Sequence, residues 1–267
     1  MGRLFVRVRV KIRAGGARGP GPGGSFEEEG PATGRRYHHA MPQAADHFPN
    51  TAMTWLAGRL DQGDAGLQDA RRHVMTVYRD PLAIYIRGSS FRTLGEPEDL
   101  VGGFFADRLG RDDFLSEWLS SGRPLRRWLL VALKYYMLEQ IRARKRDGRA
   151  GAIAEDPHDD GADPPAREFH RESARALLRD AMVSTAQALA DEGMSDHWRV
   201  FLRHHLEGAP YDLIAPAFGV DPKRAAVMAR TAARRFRNTL RQRAAWPGAT
   251  DEDVDRELAS LAEDIRL

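Results

Sequence analysis

The sequence predicts an all-α protein that consists of two small helical domains joined by a flexible linker. Beyond residue 40, no stretch alternates apolar and polar residues in the way that marks a half-buried strand. Apolar residues instead recur every three or four positions, as they do along one face of a helix. A break rich in Gly, Pro and Asp at residues 147–169 separates the two helical regions, and this composition is typical of a flexible linker.

Composition excludes several classes of protein. The chain has 267 residues, which is enough for one large domain or two small ones, and it contains no cysteine. Disulfides, zinc fingers and thiol nucleophiles are therefore excluded. No apolar run approaches the roughly 20 residues that span a bilayer, and arginines interrupt the segment where a signal peptide would need an apolar core. We expect a cytoplasmic protein without a membrane segment.

The first 46 residues are predicted to be a disordered extension. Residues 14–36 are so rich in Gly and Pro that they cannot bury a hydrophobic core. The first helical domain is predicted over residues 47–146. In its segment "PEDLVGGFFADRL", Leu100, Phe104 and Phe105 share one helix face, and Glu98 and Asp99 stand at the helix start, where the helix dipole favours acids.

The second helical domain is predicted over residues 170–246, and an acidic helix over residues 247–267 follows it. The stretch "YDLIAPAFGVDPKRAAVMARTAARRFR" predicts a helix-turn-helix. Gly219 suits a turn with positive φ, Asp221 is an N-cap residue, and Pro222 fits the first helical position. Pro216 requires the first helix of the motif to be short or kinked.

The second helix of this motif has two distinct faces. Its alanines permit close packing on the domain core, whereas the opposite face is strongly basic. A recognition helix contacts base edges from its N-terminal residues and phosphates through flanking cations. The candidate DNA-binding residues are Lys223, Arg224, Val227, Arg230, Thr231, Arg234 and Arg235. The simpler interpretation is a solvated basic face on a bundle helix.

A second basic cluster lies in "RRWLLVALKYYMLEQIRARKR", the last predicted helix of the first domain. Cations follow a phosphate backbone and aromatic rings stack on exposed bases, so that the cluster could hold a separated DNA strand. Its candidate residues are Trp128, Lys134, Tyr135, Tyr136, Arg142, Arg144, Lys145 and Arg146. The alternative is that Trp128 and Tyr136 belong to the core and the arginines solubilise a helix end.

These segments, in this order, resemble the extracytoplasmic-function (ECF) sigma factors of the sigma-70 family over residues 47 to 267. "PEDLVGGFFADRL" is similar to the region 2 motif that docks on the polymerase clamp, and the next helix to the one that melts the minus-ten element. The helix-turn-helix resembles the region 4 reader of the minus-thirty-five element. The resemblance implies polymerase contact through Asp99, Leu100, Phe104 and Phe105, and an anti-sigma factor as a further partner. Gly102 and Gly103 depart from the motif, because polar residues are usual there.

The resemblance implies a non-enzymatic role in which core RNA polymerase supplies the chemistry and promoter DNA is the target, without a cofactor or metal. One alternative is a dimeric helix-turn-helix regulator that never binds polymerase. An enzyme acting on nucleic acid is a second alternative, and its candidate metal groups are His204, His205 and Glu207, or His38 and His39. Adjacent histidines on a helix point about 100° apart and do not readily share one metal, and the sequence contains no Gly-rich phosphate loop or nucleophile elbow. A third is a helical adaptor whose acidic tail folds back on the basic helices.

Overall fold

The computed structural model describes residues 55–146 and 164–266. These two ranges contain ten α-helices, in agreement with the helical periodicity of the sequence. No β-strand occurs in these ranges, so that the all-α prediction is confirmed for them. The predicted N-terminal extension at residues 1–46, and residues 147–163 of the predicted linker, lie outside the described residues. Among the described helices, none combines the length and apolar character that crossing a bilayer requires.

The first range contains five α-helices: α1 (Trp55–Leu60), α2 (Gly63–Gly88), α3 (Pro97–Phe104), α4 (Phe114–Ser121) and α5 (Leu125–Arg146). A short 3-10 helix precedes α3, and a π-helical turn over Phe105–Leu109 follows it. Pro97 begins α3, with Glu98 and Asp99 in its first turn, as the sequence predicts. α4 ends at Gly122, whose φ of 64° is the left-handed conformation that favours glycine.

The second range contains the other five: α6 (Pro164–Asp191), α7 (Ser195–His205), α8 (Tyr211–Ile214), α9 (Pro222–Ala244) and α10 (Asp251–Arg266). α6 begins at Pro164, six residues before the predicted start of the second domain. Its first turns bury Ala166 and Phe169 completely. Burial of these apolar groups stabilises a helix at residues 164–169, where the Gly, Pro and Asp content of the sequence predicted a linker.

The largest core lies among α2, α3, α4 and α5. Tyr85, Phe104, Trp118 and Leu129 are among its fully buried side chains. Phe169 of α6 belongs to the same core, so that α6 packs on the helices of the first predicted domain as well as on those of the second. The described helices belong to one compact unit.

Three smaller apolar clusters hold α6 to α10 together. Val200, Ile214 and Ala225 join α7, α8 and α9, whereas Trp198 with Ala232 joins α7 to the middle of α9. The third cluster contains Ala244 of α9 and Leu261 of α10, together with part of α6. The predicted acidic C-terminal helix therefore exists as α10, and its apolar stripe is packed on its neighbours.

Two arginines, one buried and one partly buried, also connect distant parts of the chain. Arg126 at the start of α5 donates to Glu257 at 2.5 Å and to Asp264 at 2.6 Å, both of them on α10. Arg243 of α9 donates to Asp180 of α6 at 2.7 Å, and its guanidinium lies 3.9 Å from the centre of the Trp55 ring. These contacts bridge the helices before and after residues 147–163.

The two glycines of α3 have different surroundings. A Cβ on Gly103 would lie 2.7 Å from Oη of Tyr136, whereas a Cβ on Gly102 would meet nothing within 4 Å. The Tyr136 ring is buried against Phe104, with the ring centres 5.8 Å apart. Gly103 therefore makes room for the Tyr136 hydroxyl, and packing supplies no such reason for Gly102.

Gly102→Ala is expected to stabilise the protein by up to about 1 kcal/mol, since alanine is the better helix former and the site is open. Gly103→Ala should destabilise it by about 1–3 kcal/mol, because the new methyl group overpacks the Tyr136 hydroxyl. Urea unfolding measures both. Tyr136→Phe removes the hydroxyl, and on that background Gly103→Ala should cost nothing; a cost that persists there would contradict this account.

Candidate nucleic-acid interface

The helix-turn-helix forms as its sequence predicts. α8 is a single turn that continues as a 3-10 helix over Ala215–Phe218, which is how the chain accommodates Pro216. Gly219 then turns the chain with a φ of 62°. The side chain of Asp221 accepts a hydrogen bond from the backbone N–H of Arg224 at 2.8 Å, and Pro222 is the first residue of α9.

α9 packs through its alanines, so that its basic residues are directed away from the core. Ala225, Ala229 and Ala232 are completely buried, as the alanine face predicts, and Phe236 packs against Trp198. Leu213 of α8 is 74% exposed, because Ile214 occupies the inward-facing position of this single turn.

The exposed face of α9 carries most of the predicted DNA-binding residues. Lys223, Arg224, Val227, Arg230 and Arg234 are exposed and recur at helical spacing along it. Arg237 continues the same row and was missing from the sequence prediction, although its spacing of seven from Arg230 would have indicated it.

Two of the predicted residues have partners within the chain. Thr231 is half-buried, and its hydroxyl donates to the carbonyl of Val227 at 3.1 Å. Arg235 donates to Glu192 at 2.9 Å, with about half of each side chain exposed. A surface pair of this kind contributes about 0–1 kcal/mol, so that Arg235 can exchange Glu192 for a phosphate at small cost.

Apart from Arg235, the exposed cations of α9 have no carboxylate partner among the described residues. Most arginines in the described ranges lie within 4 Å of an acid, including Arg241 and Arg243 near the end of α9 itself. None of the described acids lies within that distance of Lys223, Arg224, Arg230, Arg234 or Arg237. This row is therefore a surface with uncompensated positive charge, which attracts polyanions.

A second exposed cationic face lies toward the end of α5. Tyr135 is 63% exposed, and Arg142 and Arg146 follow it at helical spacing. Glu139 lies between them but forms an ion pair with Arg108 of the π-helical turn, which compensates its charge. Lys145, next to Arg146 in the chain, is also exposed. The arrangement offers an anionic strand one aromatic ring and three cations that no described acid pairs with.

The other predicted DNA-binding residues of α5 do not belong to this exposed face. Lys134 and Tyr136 are at most 8% exposed, and Trp128 is half-buried against Phe114 with 6.1 Å between the ring centres. Arg144 donates to the backbone carbonyl of Leu94. A long helix that packs on its neighbours buries one face and exposes the other. The sequence alone did not show which face of α5 carries each aromatic residue.

The four predicted polymerase-docking residues differ in how far they are buried. Phe104 and Phe105 are core residues, at 0% and 8% exposure, and Leu100 is partly buried against the same core. Asp99 is exposed in the first turn of α3, where no described residue pairs with it, whereas its neighbour Glu98 accepts a hydrogen bond from Arg87 at 2.7 Å. Of the four residues, Asp99 is the one available to a partner.

No group of three or more metal-ligating side chains occurs within residues 55–146 and 164–266. His204 stacks on Tyr211 with 4.0 Å between ring centres, and its Nδ1 lies 3.0 Å from the carbonyl oxygen of Ala209. Burial and the nearby His204 lower the pKa of His205. His38 and His39 lie outside the described residues. His204 is half-buried by these contacts, whereas His205 is exposed, with its ring centre 4.8 Å from that of Phe201.

Comparisons with protein-family models, with curated proteins and with solved structures found no significant match for this chain.

Proposed function

We propose that this protein is a sigma factor of the extracytoplasmic-function type, which directs core RNA polymerase to promoters and assists DNA melting in the cytoplasm. The observation that carries the proposal is the row of exposed cations on α9 that no described acid pairs with, presented by a capped helix-turn-helix. The order and spacing of the segments that resemble regions 2 and 4 support it.

In this proposal α9 reads the upstream promoter element. Lys223, Arg224 and Val227 lie in its first turns, from which a recognition helix reaches base edges in the major groove. Because the alanines are used for packing, few side chains remain for base discrimination, which favours a relaxed promoter preference. The residues farther along the helix contact phosphates, and they are Arg230, Arg234, Arg235 and Arg237.

The exposed face of α5 engages the downstream element. Tyr135 stacks on an unpaired base, a contact worth about 1–3 kcal/mol, while Arg142, Lys145 and Arg146 contact the backbone of the separated strand. Asp99 on α3 contacts the polymerase clamp. Phe104 and Phe105 act indirectly, because they hold α3 against the core. An anti-sigma factor would compete for these same surfaces.

Arg224→Ala tests the proposal. The variant should co-purify with core polymerase as well as the wild type does. Transcription from the promoters that the wild type selects should fall by on the order of 10-fold, because the variant no longer makes a base contact worth about 1–3 kcal/mol. Run-off transcription from genomic fragments and pull-down of core polymerase measure the two effects.

Arg79→Ala is the matched control, since Arg79 is exposed on α2 and has no ion-pair partner among the described residues. It should leave both readouts unchanged. Failure of the wild-type protein to bind core polymerase would contradict the proposal. A dimer in size-exclusion chromatography that binds duplex DNA without polymerase would instead identify a helix-turn-helix regulator.

A further inference from the structure

A cleft of about 640 Å³ lies between α5, α6 and α10, and its lining includes none of the residues of the exposed face of α9 or of the end of α5. Its walls include Arg123 from the turn before α5, Arg126 and Arg127 from the start of α5, His170 from α6 and Asp264 from α10. Pockets that hold small organic ligands have volumes of about 300–1,000 Å³, so that this cleft has the size of a small-molecule site.

Of the three arginines at the cleft, Arg123 and Arg127 retain free hydrogen-bonding capacity. The guanidinium of Arg126 is already engaged, since its Nε donates to Glu257, its Nη1 to Asp264 and its Nη2 to Ser260. Arg127 is 56% exposed, and its Nη2 lies 3.6 Å from Glu257, beyond hydrogen-bond distance. Arg123 is exposed and has no ion pair among the described residues. Arg123 and Arg127 can therefore donate to an anion in the cleft.

Lys134 adds a buried positive charge one turn beyond the cleft-lining Leu130. It is 4% exposed, and its ammonium has no hydrogen-bond partner among the described residues. The ring of Tyr85 lies near it, with the ring centre 5.7 Å away. Burying an unpaired ammonium is costly, and a bound anion would reduce that cost. Four positive charges lie in or near the cleft, those of Arg123, Arg126, Arg127 and Lys134. Among the described acids, Glu257 and Asp264 pair with arginines of this group, which leaves two of the four charges uncompensated.

His170 supplies a neutral polar group in the same cleft. Its Nδ1 is buried without a hydrogen-bond partner among the described residues. Burial and the positive charges of Arg126, Arg127 and Lys134 outweigh Asp264 and lower its pKa to about 4, so that the imidazole is uncharged at neutral pH. It can pair with a hydroxyl or a base edge. The cleft also has an apolar wall against which a flat ring can lie, formed by Leu130, Val131 and Pro124.

We propose that this cleft binds a small phosphorylated metabolite of the nucleoside monophosphate class, with the phosphate on Arg123 and Arg127, attracted also by the nearby charge of Lys134, and the nucleoside toward His170 and the apolar wall. Binding to a nucleic-acid strand would need a continuous cationic groove, whereas Asp264 and Ser260 of α10 form part of the wall of this cleft. The site goes beyond the proposed function, because it requires neither polymerase nor promoter DNA.

Isothermal titration of the full chain with adenosine 5′-monophosphate tests the proposal, and inorganic phosphate and adenosine are titrated as partial ligands. The nucleotide should bind at micromolar concentration, phosphate more weakly and in competition with it, and adenosine most weakly. Arg123→Gln with Arg127→Gln should weaken nucleotide binding at least 10-fold. The double variant Arg79→Gln with Arg203→Gln removes the same charge from exposed sites outside the cleft and should bind normally.

Lys134→Met supplies a second readout that does not depend on the exposed arginines. Replacing an unpaired buried ammonium by an apolar chain of similar length should raise the melting temperature of the ligand-free protein and weaken nucleotide binding. The absence of nucleotide binding at 5 mM in the wild type would overturn the proposal. So would equal weakening in the control variant, or a Lys134→Met protein that binds the nucleotide as tightly as the wild type. All of these measurements omit DNA and polymerase, so their failure would leave the proposed function untouched.

Discussion

Replacing Arg230, Arg234 and Arg237 together by glutamine is expected to lower the affinity for a 20-base-pair duplex by about a thousand-fold near 0.1 M salt, since each charged contact with a phosphate is worth roughly one factor of 10. These cations are exposed, and no described acid pairs with them. The slope of log K against log salt should also fall by about 0.9 for each phosphate that the variant no longer neutralises. Fluorescence anisotropy at several salt concentrations measures both quantities.

A charge-matched control separates this effect from the change in net charge. Arg79, Arg167 and Arg203 are exposed and unpaired among the described residues but lie on α2, α6 and α7. Their triple replacement by glutamine should change the slope by much less than the α9 variant does. Equal effects in the two variants would show that α9 is not the DNA-binding face. Neither variant should alter the melting temperature, because none of the six side chains forms an ion pair with a described residue.

Glu257→Ala is expected to lower the free energy of unfolding by about 3–5 kcal/mol, because it leaves the buried Arg126 without its closest carboxylate. Both side chains are about 5% exposed, and they meet at 2.5 Å. Burial opposes the charge on Arg126, but Glu257 and Asp264 outweigh burial and raise its pKa, so that the guanidinium stays charged. Denaturant unfolding measures the destabilisation, which corresponds to about 10 °C in melting temperature for a protein of this size.

Glu263→Ala on the same helix is the control, because no hydrogen bond or ion pair to a described residue holds Glu263, and its replacement should change stability by less than about 0.5 kcal/mol. The double variant Arg126→Met with Glu257→Leu replaces the ion pair by apolar groups and should recover most of the stability. If the double variant were as unstable as Glu257→Ala alone, the cost would not arise from an uncompensated buried charge.

Sequence pattern alone predicted those features of this protein that depend on neighbouring residues. The 3.6-residue periodicity predicts the helices, and the order Gly219, Asp221, Pro222 predicts the turn, the cap and the first residue of α9. The alanine face of α9 also followed from spacing, because residues on one side of a helix share an environment. Each of these features is decided within a few residues of chain.

Only the tertiary structure decided which charges and aromatic rings are available. Arg126 and Arg224 both belong to basic stretches, yet Arg126 is buried by carboxylates that lie more than 130 residues away, whereas the guanidinium of Arg224 is exposed and forms no ion pair with a described acid. Tyr135 and Tyr136 are adjacent, and only the packing of α5 determines that one is exposed and the other buried. The free energy of a charged or aromatic group depends on what surrounds it in space, and that surrounding is assembled from residues distant in the chain.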